Sequence, residues 1–155
     1  MLDSFEAIAR KLAQNETALA GLYELFERTF NEDAALWGGL ARDEHQHAAW
    51  ILHTLAAATP EQREQPSPQA RVQAIERMIS YVGTLADRCR RGELTRLTAL
   101  ALARDLENSL LEGNVLALIA SATGRLAGLQ ADLIRATTAH RKRIIDALDE
   151  LRGAR

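Results

Sequence analysis

Apolar positions recur at intervals of three and four along almost the whole chain, which is the spacing of helices that each bury one face. Ala, Leu, Glu and Arg are abundant while aromatic and β-branched residues are sparse, so the pattern predicts an all-α protein. Four interruptions cut it into five helices: Asn31-Glu32-Asp33, the stretch from Thr59-Pro60 to Ser67-Pro68, Gly92, and Thr123-Gly124. The first helix is predicted from about Asp3 to Phe30, with Asp3 and Glu6 at capping-box spacing. Asn31 is the expected cap of the second, which reaches about Ala57. A polar linker carries all three prolines, and Ser67-Pro68 is the expected start of a third helix that runs to about Arg91 and stops at Gly92. Its Val72, Ile75, Met78, Ile79, Val82 and Leu85 share one face, as in a crossover helix lying against the rest. The fourth and fifth helices span roughly Leu94 to Ala122 and Arg125 to Leu151, with Gly124 as the turn. Short turns force antiparallel neighbours, so the expectation is two hairpins joined by a long crossover, segment 58–93, in a four-helix bundle.

The core stripes of these helices are interrupted by polar groups. The first reads Phe5, Ile8, Leu12, Glu16, Leu19, Tyr23, Phe26, Phe30, and the second Trp37, Leu40, Glu44, His47, Ile51. The fourth reads Leu100, Ala103, Glu107, Leu110, Asn114, Leu118, and the fifth Leu126, Leu129, Leu133, Thr137, His140, Ile144, Leu148. A buried carboxylate costs several kcal/mol unless it is paired, hydrogen-bonded or bound to a metal, so polar groups inside four helices call for a common cause.

Height along the bundle supplies one. Glu16 lies 15 residues before the first turn, and Glu44 and His47 lie 13 and 16 after it. Glu107 lies 16 before the second turn, and Thr137 and His140 lie 14 and 17 after it. At ~1.5 Å per residue all six reach one level, ~20 to 25 Å from their turns. The halves also repeat, since Glu16 to His47 spans 31 residues and Glu107 to His140 spans 33. Such a layer of carboxylate oxygens and imidazole nitrogens suits iron or manganese, and zinc less distinctively.

This ligand pattern resembles the rubrerythrin branch of the ferritin-like superfamily, whose bundles hold two metal ions with a Glu from each of two helices and Glu-x-x-His from each of the other two. The stretch from Trp37 through Arg42-Asp43-Glu44-His45-Gln46-His47 is the most family-like. The resemblance implies a single ferritin-like domain over residues 1–155. It makes Glu16 and Glu107 the single-helix carboxylates, Glu44 the bridging one, and His47 and His140 the histidine ligands. It further implies reaction with dioxygen or hydrogen peroxide, and it makes a homodimer plausible. One position departs from the family pattern, because Thr137 stands where the second Glu-x-x-His should begin. Three carboxylates facing two divalent ions leave three outcomes open: a single ion, an asymmetric pair completed by water, or a site whose residues hydrogen-bond one another.

Composition narrows the rest. The 155 residues carry a net charge of −2, which removes the electrostatic argument for nucleic acid. The longest apolar stretches fall far short of the ~20 residues of a membrane span, and the acidic start Met1-Leu2-Asp3-Ser4-Phe5-Glu6 lacks a signal core, so a cytoplasmic chain without membrane contact is expected. Cys89 stands alone, which excludes an intramolecular disulfide and Cys-x-x-Cys metal or redox motifs and means that electrons for any redox chemistry come from an external donor.

Other candidates have plainer readings. Tyr23 reads first as a core tyrosine with a satisfied hydroxyl and second as a hydrogen-bond donor to the site or a redox-active phenol, and Asn114 holds the matching place on the fourth helix. His45 and His53 read as surface or packing residues, Trp37 and Trp50 as packing residues, and Cys89 as a lone thiol near a helix end among arginines. Lys142 and Asp146 read as a solvated helix-face pair. Two functions follow: a metal-binding ferritin-like protein with or without oxidoreductase turnover, or a bundle with a degraded site that serves as a structural or interaction module, which Thr137 motivates.

Overall fold

The computed structural model describes residues 2–112, 116 and 124–153. The predicted Asn114 and the end of the fourth helix lie outside them. Among the described residues the secondary structure is helical: α1 (Phe5–Thr29), α2 (Ala34–Ala57), α3 (Pro60–Glu64), α4 (Val72–Arg90), α5 (Arg96–Glu112) and α6 (Gly124–Gly153), with a 3-10 turn at Asn31–Asp33. None of these helices is long and apolar enough to cross a membrane.

Several helix starts differ from the sequence expectation. Ser4, not Asp3, caps α1, accepting from the Ala7 N–H at 3.2 Å. The Asp3 carboxylate instead accepts the Val72 N–H at 2.9 Å, so it caps α4 from 69 residues away. Helix α4 therefore begins at Val72 and not at Ser67-Pro68; Ser67 is buried in the linker, its N–H donating to the Asp3 carbonyl. The same linker holds α3, an extra turn opened by a Thr59/Gln62 capping box. Asn31 opens the 3-10 turn and does not cap α2, and Asp33 is held at both oxygens by Arg96, at 2.7 and 2.9 Å. At the other end of α4 the expected stop is observed. Gly92 has φ +73°, and the Gly92 and Glu93 N–H groups bond back to the Cys89 and Arg88 carbonyls, a Schellman arrangement.

Pairings along the helices fix their directions. Helix α2 returns against α1 through the tight turn at Asn31–Asp33. Arg141 bonds Asn108 while Arg96 lies in the field of Glu150, so α6 runs antiparallel to α5. Arg143 lies against Gly39 and His140 against Asp43, so α6 also runs antiparallel to α2. The Arg96 contacts set the start of α5 beside the α1–α2 turn, at the far end of the molecule from Ala57. Helix α4 covers that distance along α1, tied by Lys11 to Glu76 at 3.4 Å and by Cys89 Sγ to Thr29 Oγ1 at 3.6 Å. Ile75, Val82 and Leu85 of its predicted face are buried, while Val72, Met78 and Ile79 are partly so.

The core contains Phe5, Tyr23, Phe26 and Trp37, all fully buried. Phe26 meets Trp37 edge-on with ring centroids 4.9 Å apart, and Tyr23 packs on both. This aromatic layer closes the interior on the turn side of the polar level, and Ile8, Leu12 and Leu133 are likewise fully buried in the core.

Candidate metal centre

Glu16, Glu44, His47, Glu107 and His140 come together, each at most 3% exposed. Helical periodicity is the local cause: on every helix these residues continue the apolar stripe, so burying the stripe buries them. They form two groups of three, Glu16 with Glu44 and His47, and Glu44 with Glu107 and His140. Within each group one ligand atom per residue lies within 4.8 Å of the others, and Glu44 belongs to both. His47 Nδ1 is 3.3 Å from Glu44 Oε2 and 3.9 Å from Glu16 Oε2. His140 Nδ1 is 2.8 Å from Glu44 Oε1 and 3.5 Å from Glu107 Oε1. The two imidazoles stack with centroids 5.3 Å apart. Thr137 is buried on the same stripe of α6.

Three carboxyls and two imidazoles in a dry layer strongly perturb one another. Burial drives the Glu16 carboxyl well above its usual range, and the charges of Glu44 and Glu107 push the same way. Burial and then Glu44 raise Glu107, with His140 and Tyr23 partly opposing them. Burial would raise Glu44 too, but the neighbouring Glu16 carboxyl and the His140 and His47 imidazoles outweigh it and hold this carboxylate below its usual range. His140 is lowered by burial but raised more by Glu107 and Glu44, to about 10. Protons therefore supply the positive charge that this acidic layer needs, as a cation in the same place would.

The donor chemistry fits a metal. Among the described residues, Glu16 Oε2, Glu107 Oε2 and His140 Nδ1 are buried atoms with no hydrogen-bond partner, and all three face this cluster. His140 Nδ1 stands close to Glu44 Oε1 yet out of line for a hydrogen bond, a geometry that favours a shared third atom over a direct donor–acceptor contact. Its other nitrogen, Nε2, lies 3.0 Å from Asp43 Oδ2. With the ring neutral, as a bound cation would make it, an Nε2–H donated to Asp43 leaves the Nδ1 lone pair on the side of Glu44 and Glu107, which is the tautomer a metal-ligating histidine needs.

Asp43 escaped the sequence reading. It is half-exposed, and in the sequence nothing sets it apart from the other acids of the chain. The usable signal was its position one residue before Glu44, turned toward α6, where His140 and Arg143 stand one helical turn apart; Arg143 also reaches Asp43, at 3.5 Å. Tyr23 joins the core reading with that of a donor to the site: it is fully buried, and its hydroxyl is satisfied by donating to Glu107 Oε1 at 2.8 Å. His45 is exposed and pairs with Glu24, and His53 is exposed. Trp37 is a packing residue, as expected, but Trp50 is 36% exposed and lays its ring against His47, centroids 5.2 Å apart. Lys142 and Asp146 form the expected surface pair at 2.7 Å.

No family model, curated protein or solved structure matches the chain. The fold and site define an all-α protein with a buried cluster of three carboxylates and two histidines compatible with a metal.

Proposed function

We propose that this chain is a ferritin-like metalloprotein, similar to the rubrerythrin branch, in which α1 with α2 and α5 with α6 are the two hairpins and α4 is the crossover. Glu16, Glu44, His47, Glu107 and His140 hold iron, with manganese or zinc as the alternatives their donor atoms allow. The observation that carries this reading is the pair of three-residue groups sharing Glu44, with partnerless donor atoms in both. Bound iron would supply one-electron chemistry toward dioxygen or peroxide, fed by an external donor because Cys89 is the only thiol.

The protein's own contribution is positional. Glu44 joins the two groups, Asp43 fixes the tautomer of His140, and Tyr23 holds one oxygen of Glu107. The aromatic layer of Tyr23, Phe26 and Trp37 keeps water from that side of the centre. Thr137 leaves the Glu107 half one carboxylate short of the family pattern, which favours tighter binding in the Glu16 and His47 half, where no ligand of the pattern is missing.

Metal analysis of protein purified without chelator tests this, and about one to two ions per chain is the expected result. Thr137 also supports a second reading, a bundle that has lost its chemistry and serves as a structural or interaction module. That reading requires Glu44→Gln and His47→Ala to leave metal affinity unchanged.

A further inference from the structure

A second site lies beside this centre. Between the C-terminal half of α2 and the N-terminal part of α6 is a cleft of about 340 Å³, within the range of small-molecule pockets. Leu129 and Thr54 are buried lining residues, at 6% and 7% exposure, and the Trp50 ring supplies an aromatic wall. Arg125, His53 and Asp132 also line it.

The polar groups of the cleft are uneven in a way that selects a ligand. Asp132 is engaged by Arg135, so its charge is already matched. Arg125, His53 and Thr54 have no hydrogen-bond or ion-pair partner among the described residues. Thr54 is more than nine-tenths buried as a residue, yet its unpartnered hydroxyl is not among the buried atoms, so it is open to the cleft and free to donate to a bound acceptor. A free guanidinium, a free imidazole and a free hydroxyl around one cleft call for an acceptor-rich anion, and a guanidinium fork matches a carboxylate best. The Trp50 ring and Leu129 call for an apolar, flat body. Gly128 lines the cleft, and a Cβ there would meet nothing within 4 Å, so the space beside it is free.

We propose that this cleft binds a small aromatic carboxylate, with its ring against Trp50 and its carboxylate on Arg125 and Thr54. The Trp50 ring also neighbours His47, with centroids 5.2 Å apart, so the ligand sits one side chain from the metal centre. Binding itself does not depend on metal, and it is therefore tested on the metal-free full chain.

Benzoate is titrated by calorimetry and by tryptophan fluorescence, where Trp37 is fully buried and Trp50 is the accessible reporter. Saturable binding at one site per chain is expected, with benzamide and acetate each weaker by about tenfold or more, because one lacks the charge and the other the ring. Arg125→Gln weakens benzoate by about tenfold or more, and Thr54→Val by several-fold, as loss of a charge-assisted and a neutral hydrogen bond implies. Gly128→Leu fills the cleft from a helix position with free space around it, and it abolishes binding without lowering the melting temperature. Absence of saturation, acetate binding as tightly as benzoate, or full benzoate affinity in Arg125→Gln or in well-folded Gly128→Leu would each overturn the proposal. Metal content is measured separately, so failure of this site and failure of the metal reading are distinguishable.

Discussion

Glu44→Gln removes the one carboxylate common to both halves of the cluster while keeping its shape. In the metal-free protein that carboxylate faces His140 Nδ1 at 2.8 Å and His47 Nδ1 at 3.3 Å, all three residues being almost fully buried. Breaking a buried ion pair from one side costs about 3 kcal/mol or more. For a chain of this length that is a fall of about 6 to 12 °C in melting temperature. The pH dependence gives the sign. His140 is raised in the folded state from 6.5 to about 10, so its contribution is complete below pH 6.5 and is lost as the pH rises toward 10. Glu44 is lowered, so it stays ionised across that range. The gap between wild type and Glu44→Gln is therefore widest near pH 6.5 and closes toward pH 10. Thermal unfolding of chelator-treated protein at half-unit steps between these values measures it. Equal melting temperatures at pH 6.5, or a gap that does not change with pH, would refute the assignment of Glu44 as a buried counter-charge of His140 beside Glu107.

Three further substitutions probe the rest of the site. Asp43→Ala frees the His140 ring and should weaken metal binding about ten- to hundredfold in a chelator competition, whereas unchanged affinity would show that Asp43 does not orient the ligand. Tyr23→Phe leaves Glu107 Oε1 without its donor and should destabilise the metal-free protein by about 1 to 3 kcal/mol, read from denaturant unfolding; an unaltered midpoint would contradict that bond. Thr137→Glu supplies a fourth carboxylate on the α6 stripe and should move metal content toward two ions per chain, by about one ion if wild type holds one. Unaltered stoichiometry would show that Thr137 does not limit the second position.

The site was legible in the sequence because helix geometry converts residue counts into height. Glu16, Glu44, His47, Glu107 and His140 needed only the positions of two turns to be set on one level, and errors of a few residues at helix ends do not disturb that sum. Helix starts were less legible for the opposite reason. Asp3 and Asn31 have the right chemistry for caps, but long-range demands decide their use: Asp3 serves the Val72 N–H, and the Asn31–Asp33 turn places Asp33 on Arg96. No local pattern contains those partners. Asp43 was hidden likewise, since its role exists only where α2 meets α6. Trp50 was read as packing because an aromatic residue on a helix usually is, and only the tertiary structure sets one face on His47 and leaves the ring at a cleft.

The metal content of the protein as purified, without chelator, bears on the function most directly. Mass-spectrometric analysis should find iron, manganese or zinc at about one to two ions per chain, and Glu44→Gln should lose it. Protein that carries none of these metals, and whose melting temperature does not rise on adding Fe(II), Mn(II) or Zn(II), would contradict a metal-binding role for the cluster.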